Sequence, residues 1–110
     1  MRDDHEFLLD IKEAIEQINK YTVRGQTSFE NDELVQTWVL RHLQIIGEAS
    51  RQLSEDFRKR HSDIPWSKMI GMRNILVHRY FGIDPVVVWA VVENELPKLK
   101  EVIDTLLHAE

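Results

Sequence analysis

Apolar residues recur every three or four positions along nearly the whole chain, and the recurrence breaks at only a few places. Phe7, Leu8, Ile11, Ile15 and Ile18 mark one face of a helix from about residue 4 to Tyr21, with Asp3 or Asp4 able to cap its first turn. Val23-Arg24-Gly25-Gln26-Thr27 reads as a loop, and Ser28 as the N-cap of the next helix. A second, longer stripe carries Leu34, Val35, Trp38, Val39, Ile45, Ile46, Ala49 and Leu53. Ser54-Glu55-Asp56-Phe57 opens a short third helix ending near Arg60. Asp63-Ile64-Pro65-Trp66 forms a turn, and a fourth helix runs from Trp66 to about Phe81. Gly82 interrupts the pattern. Asp84 and Pro85 then supply a cap and a pre-set first turn for the last helix, which carries Val88, Val91, Val92, Leu96, Leu99, Val102, Ile103 and Leu106. Pro97 lies inside it and has no N–H for the carbonyl of Glu93, which predicts a bend rather than a break. No stretch alternates with the two-residue period of a strand. The pattern predicts an all-α fold, one compact bundle over residues 1–110 with about five helices, four of them substantial.

Two of these helices are more apolar than a small monomer requires. Val86-Val87-Val88-Trp89-Ala90-Val91-Val92 is apolar almost all round, as is the Trp66–Phe81 helix, and a helix apolar on every side is buried on every side. In 110 residues the economical solution is a symmetric dimer; the alternative is that some valines simply face water.

Composition narrows the class. With 43% hydrophobic and 30% charged residues the chain is neither disordered nor membrane-embedded, and no apolar run approaches the ~20 residues of a bilayer span. The absence of cysteine removes disulfides and thiolate metal sites, and the polar, acidic N-terminus does not resemble a signal peptide. A cytoplasmic protein is expected. The net charge of −5 argues against an extended duplex-binding face but leaves room for a site gripping one or two phosphates. Bases cluster at Arg58-Lys59-Arg60-His61, readable as a solvated helix end, and again around Arg73.

The chemistry concentrates in Arg73-Asn74-Ile75-Leu76-Val77-His78-Arg79-Tyr80. On a helix Arg73 and Tyr80 fall within about 20° of each other, and Asn74 and His78 within about 40° on the adjoining seam. One flank of an otherwise apolar helix thus carries a guanidinium, a carboxamide, an imidazole and a phenol. Such a strip is either an exposed site or a buried network. Glu48, in the small-residue stretch Ile45-Ile46-Gly47-Glu48-Ala49, is expected to need a partner, Arg73 or another Arg. His5, His42, His61 and His108 show no ligand spacing, so no metal and no cofactor are assigned.

Arg73-x4-His78-x-Tyr80, with Asn74 after the Arg, resembles the signature of the HEPN superfamily. More narrowly, the chain resembles the HepT-type toxins of bacterial and archaeal toxin–antitoxin pairs. The same order of segments recurs: Ile45-Ile46-Gly47-Glu48-Ala49, Asp63-Ile64-Pro65-Trp66, Gly71-Met72-Arg73-Asn74, Tyr80-Phe81-Gly82-Ile83-Asp84, and Trp89 with Leu96-Pro97-x-Leu99 after it. No motif position departs from the pattern, which covers most of the chain from about residue 28. The resemblance implies a homodimeric helical fold with facing motif helices and metal-independent RNA cleavage. It implies Arg73 and His78 as catalytic residues, and neutralisation by an adjacent MNT-type nucleotidyltransferase antitoxin of a type VII pair. In some such pairs the antitoxin adenylylates the motif tyrosine, here Tyr80.

The residue types suit that chemistry on their own terms. RNA carries its own nucleophile in the 2′-hydroxyl, an imidazole can accept or return the proton, and a guanidinium can hold the phosphate through paired hydrogen bonds. Asn74 can orient the ring or donate to phosphate, and Tyr80 can stack a base or hold a phosphate oxygen. The competing reading is a non-catalytic helical dimer that binds the nucleotidyltransferase or serves as its substrate. A nucleotide-binding regulatory module is disfavoured by the lack of a glycine-rich phosphate loop.

Overall fold

Side-chain caps decide where most of the helices begin. The computed structural model describes the backbone of residues 3–78 and 84–109, and the side chains of all of these except 75–78 and 109. Asp3 accepts from the Glu6 N–H at 3.0 Å and opens α1 (Asp4–Thr22). Asp4 is not the cap; its carboxylate instead accepts from the Ser54 N–H and hydroxyl, both at 2.8 Å, and so ties α1 to the start of α4 (Glu55–Arg60). The Ser54 hydroxyl in turn accepts from the Phe57 N–H as the cap of α4. Asp84 accepts from the Val86 N–H at 2.9 Å, and Pro85 takes the first position of α6 (Pro85–Asn94).

Between residues 23 and 33 the structure departs from the expected loop and Ser28 cap. A short helix α2 (Gln26–Asn31) begins after Gly25, whose φ of 96° lies in the left-handed region that suits glycine. The cap of α3 (Glu33–Gln52) is Asp32, in extended conformation, accepting from the N–H groups of Leu34 and Val35. Gln36 closes the break by donating its carboxamide to the carbonyls of Phe29 and Glu30, both at 3.0 Å. The one large apolar residue of α2, Phe29, is buried against Trp89 with ring centroids 5.5 Å apart.

The last helix is also divided. It splits at Glu95 into α6 and α7 (Leu96–Ala109), although Glu95 keeps helical backbone angles and its N–H still reaches the Val91 carbonyl at 2.9 Å. Pro97 has no N–H for the carbonyl of Glu93 and its ring disfavours helical geometry at Leu96, so the interruption falls just upstream of the proline. Seven helical segments therefore stand among the described residues where about five were expected, and no strand is found among them. The fourth expected helix is α5 (Trp66–His78); its predicted last turn to Phe81, and Gly82, lie outside the described residues.

α1 and α3 form the central pair, pinned by the Trp38 indole donating to the Gln17 carbonyl at 2.7 Å. α5 packs on α3, α7 packs on α1, and α2 bridges α3 and α6. Leu8, Ile11, Ile15, Ile18, Val39, Ile46 and Ile103 are fully buried between them, each contributing on the order of 1.5–3 kcal/mol of transfer free energy. α6 is not buried all round: Val88, Val91 and Val92 face the core, while Val86 and Val87 are exposed. The basic run is the solvated helix end expected of it, with Lys59 paired to Glu55 and Arg60 to Asp56. No helix among the described residues is long and apolar enough to cross a membrane.

Lys68 of α5 pairs with Glu95 at the α6–α7 junction, 2.8 Å apart. Its hydrogen bond to that carboxylate, outweighing partial desolvation, holds Glu95 below the ordinary 4.5. A carboxyl depressed on folding adds stability that is present above pH 4.5 and lost as pH falls through the lower folded value. Glu95→Gln should lower stability by less than about 1 kcal/mol at pH 7, as for other exposed pairs, and by still less near pH 3. Urea unfolding at the two pH values checks this; an equal cost at both would show that the charge pair is not the source.

Candidate active site

α3 and α5 meet at Gly47. A Cβ there would overlap Arg73 Cβ and stand 2.9 Å from the Met69 carbonyl oxygen and 3.0 Å from Arg73 Cγ, so only hydrogen fits between the two backbones. The neighbouring residue, Glu48, is thereby carried onto Arg73. Arg73 Nε donates to Glu48 Oε1, and Arg73 Nη1 donates to Asn74 Oδ1 at 3.0 Å. Of the two partners expected for Glu48, Arg73 is the one found. The carboxylate is not buried, however: its side chain is 39% exposed, whereas that of Arg73 is 18% exposed. The pair stands at a rim, with the guanidinium sunk and the acid outside.

That arrangement leaves a guanidinium with the capacity to bind an anion. A guanidinium offers five N–H donors, and two of them are taken by Glu48 and Asn74, so three are left for an oxyanion. Met69 is buried beneath, and Ile70 and Met72 are half-buried on either side, so the guanidinium emerges from apolar surroundings where its hydrogen bonds gain strength.

The structure brings together three of the five sequence candidates: Glu48, Arg73 and Asn74. His78 is the last described residue of α5, and helical rise places its Cα about 7.5 Å along the axis from Arg73. The side chain of His78 and the whole of Tyr80 lie outside the described residues. Two other histidines have structural partners: His42 lies on the Trp38 ring at 4.4 Å with its Nδ1 2.8 Å from the Trp38 carbonyl, and His61 lies on Phe57. No group of three His, Asp or Glu side chains suited to a metal ion gathers among the described residues. Gly47 was the one site determinant that sequence reasoning passed over. Its signal was a glycine inside a long apolar stripe, next to an acid that needed a partner.

The sequence profile described as Ribonuclease HepT-like matches residues 11–106. A protein assigned as an RNase in Methanocaldococcus jannaschii is 40% identical over 94% of this chain and 95% of its own length. One assigned as ribonuclease HepT in Thermococcus cleftensis is 43% identical over 90% of this chain and 91% of its own. A bacterial relative assigned as an RNase, from Caldanaerobacter subterraneus, is 37% identical over 74% of this chain and 73% of its own length. No solved structure matches the chain significantly.

Alanine is ordinarily favoured over glycine in a helix by about 1 kcal/mol. At Gly47 the added methyl meets backbone as well as Arg73, so Gly47→Ala should instead destabilise by about 1–3 kcal/mol. Gly71, where a Cβ would meet nothing within 4 Å, is the internal control: Gly71→Ala should be neutral or stabilising. Denaturant midpoints of the two variants decide; Gly47→Ala as stable as Gly71→Ala would disprove the close approach.

Proposed function

The chain belongs to the HepT-like ribonuclease family, and on that footing we propose that it is a metal-independent endoribonuclease acting as the toxin of a type VII toxin–antitoxin pair. The observation that carries the reading is the anchored guanidinium of Arg73, held by Glu48 with donors to spare beside the helical position of His78. Arg73 binds the scissile phosphate and favours the charge that builds on its oxygens. The 2′-hydroxyl attacks the adjacent phosphorus, the P–O5′ bond breaks, and the products are a 2′,3′-cyclic phosphate and a 5′-hydroxyl. One imidazole takes the 2′ proton and another protonates the leaving 5′-oxygen.

A single His78 cannot serve both ends at once, whereas a homodimer with facing motif helices supplies two His78 and two Arg73. The exposed valines 86 and 87, on an otherwise apolar helix, are the kind of surface a second copy would cover. Neutralisation falls to an MNT-type nucleotidyltransferase. It directs the Tyr80 hydroxyl onto the α-phosphorus of ATP, forming a phosphodiester to AMP and releasing pyrophosphate. The added anion competes for Arg73 and repels RNA.

His78→Ala and Arg73→Ala should each lower RNA cleavage in EDTA by about 10²–10⁴-fold while leaving the helical signal intact. Cleavage by His78→Ala at the parent's rate, or parental products ending in a 3′-hydroxyl, would refute the assignment. Incubation with the nucleotidyltransferase and ATP should add one AMP to the parent and none to Tyr80→Phe by intact-mass measurement. AMP on another residue, or silencing without added mass, would leave occlusion by the partner as the explanation.

A further inference from the structure

The charge of the chain is unevenly placed. Residues 51–73 carry six Lys or Arg against three Asp or Glu, while the other 87 residues carry eight against sixteen. That basic stretch folds into one end of the bundle. The Trp66 indole donates to the His61 carbonyl at 3.0 Å and its ring lies 6.2 Å from Phe57, so α5 starts beside α4, at the C-terminal end of α3. From there α5 runs back along α3 to the contact at Gly47, where Arg73 stands. The candidate site is thus approached from the basic end.

Within that end Arg51 lies on the flank of α3 that carries the site. Taking Gly47, which touches α5, as zero on the helical wheel, Arg51 falls at about 40° and Glu48, which holds Arg73, at about 100° on the same side. Along the axis Arg51 is about 4.5 Å beyond Glu48. Its neighbour Gln52 lines the cleft towards α1, and Arg51 does not. Arg51 is exposed and makes no ion pair among the described residues, a state it shares with Arg41 and Lys98; its place sets it apart. Glu48 is the only carboxylate of α3 past Glu33, and its Oε1 already accepts from Arg73, so two guanidiniums outnumber the acid on this flank. Further on, Lys59 and Arg60 pair with Glu55 and Asp56, but all four side chains are mostly exposed, and pairs of that kind hold little that a phosphate must displace.

A lane of cations along one edge suits a strand of regularly spaced anions, and it reads no sequence, since cations there meet phosphates rather than base edges. We propose that Arg51 is a second phosphate contact for single-stranded RNA, and that the strand leaving Arg73 passes it on the way to the basic end of α4 at Lys59. The proposal rests on the ribonuclease reading for its substrate. It gives Arg51 a part in binding and leaves the bond-breaking step to the groups already named. The acidic remainder of the chain repels the strand from other faces and so favours this approach.

The test uses the full chain with two readouts. Anisotropy of a labelled, non-cleavable 2′-deoxy-substituted RNA oligonucleotide measures binding apart from chemistry. Arg51→Gln should weaken that binding about three- to tenfold and lower the salt slope by about 0.7, the share of one single-strand phosphate contact. Arg51→Lys should retain most of the affinity, and Lys59→Gln should show a smaller loss in the same direction. In cleavage the Arg51→Gln loss should fall on KM, and it should be larger for an oligonucleotide than for a dinucleotide, which has no second phosphate. Lys20→Gln is the control: it removes a base about 24 Å along α1 from the Asp4–Ser54 end and should change neither affinity nor KM. A parent that binds RNA through Arg51 without cutting it would keep the contact and sink the nuclease reading. Affinity and KM unchanged in Arg51→Gln, or an equal loss in Lys20→Gln, would overturn the contact while leaving cleavage standing. So would an Arg51→Gln effect on sedimentation mass or on nucleotidyltransferase binding with RNA affinity kept, since a protein would then be the occupant.

Discussion

The candidate site depends on how closely α5 lies against α3, and that distance is set by a hydrogen atom at Gly47. The Met69 carbonyl and the stem of Arg73 occupy the space a side chain would need. Helices commonly pack about 8–10 Å apart, at a separation set by the residues in the contact. Here the smallest residue sits at the crossing, and the next residue along α3 is the acid that fixes Arg73. Backbone proximity, an apolar floor at Ile46 and Met69, and the ion pair are thus consequences of one contact.

The ion pair is suited to orientation more than to stability. Glu48 is exposed enough that water competes for it, and pairs of that kind are worth at most about 1 kcal/mol. A phosphate arriving at Arg73 can therefore add its own charge-assisted hydrogen bonds without first breaking a structural bond. In the proposed reaction Glu48 is a positioning residue, accepting from Arg73 Nε and leaving the substrate the N–H groups that neither Glu48 nor Asn74 takes. Asn74, exposed and bonded to Nη1, restrains the other side of the fork. The weak acidity of the whole chain is no obstacle, since the recognition needed is local.

Much of the fold was legible because capping residues announce themselves. Asp3, Ser54 and Asp84-Pro85 stand where the apolar period begins, and the structure uses each of them. The break at Asp32 was not legible, since α2 has six residues and a single large apolar one, Phe29, too few to show a period. The division at Glu95 was displaced because proline acts on the turn before it, through a carbonyl it cannot satisfy. At the site, the pairing of Glu48 with Arg73 could be read from a charge in apolar company. Gly47 was marked only by its place in an apolar stripe beside that acid; how closely the two helices approach there is a property of three dimensions. The readings of His78 and Tyr80 rest on motif spacing and family pattern.

If Glu48 works only by holding Arg73, the two must act as one unit. The direct measurement is a double-mutant cycle in kcat/KM on one RNA, using the parent, Glu48→Gln, Arg73→Ala and the double variant. Glu48→Gln should cost activity in the parent background and nothing further once Arg73 is gone, a strongly non-additive result. Additive losses would contradict the positioning role, since Glu48 would then contribute through some other group.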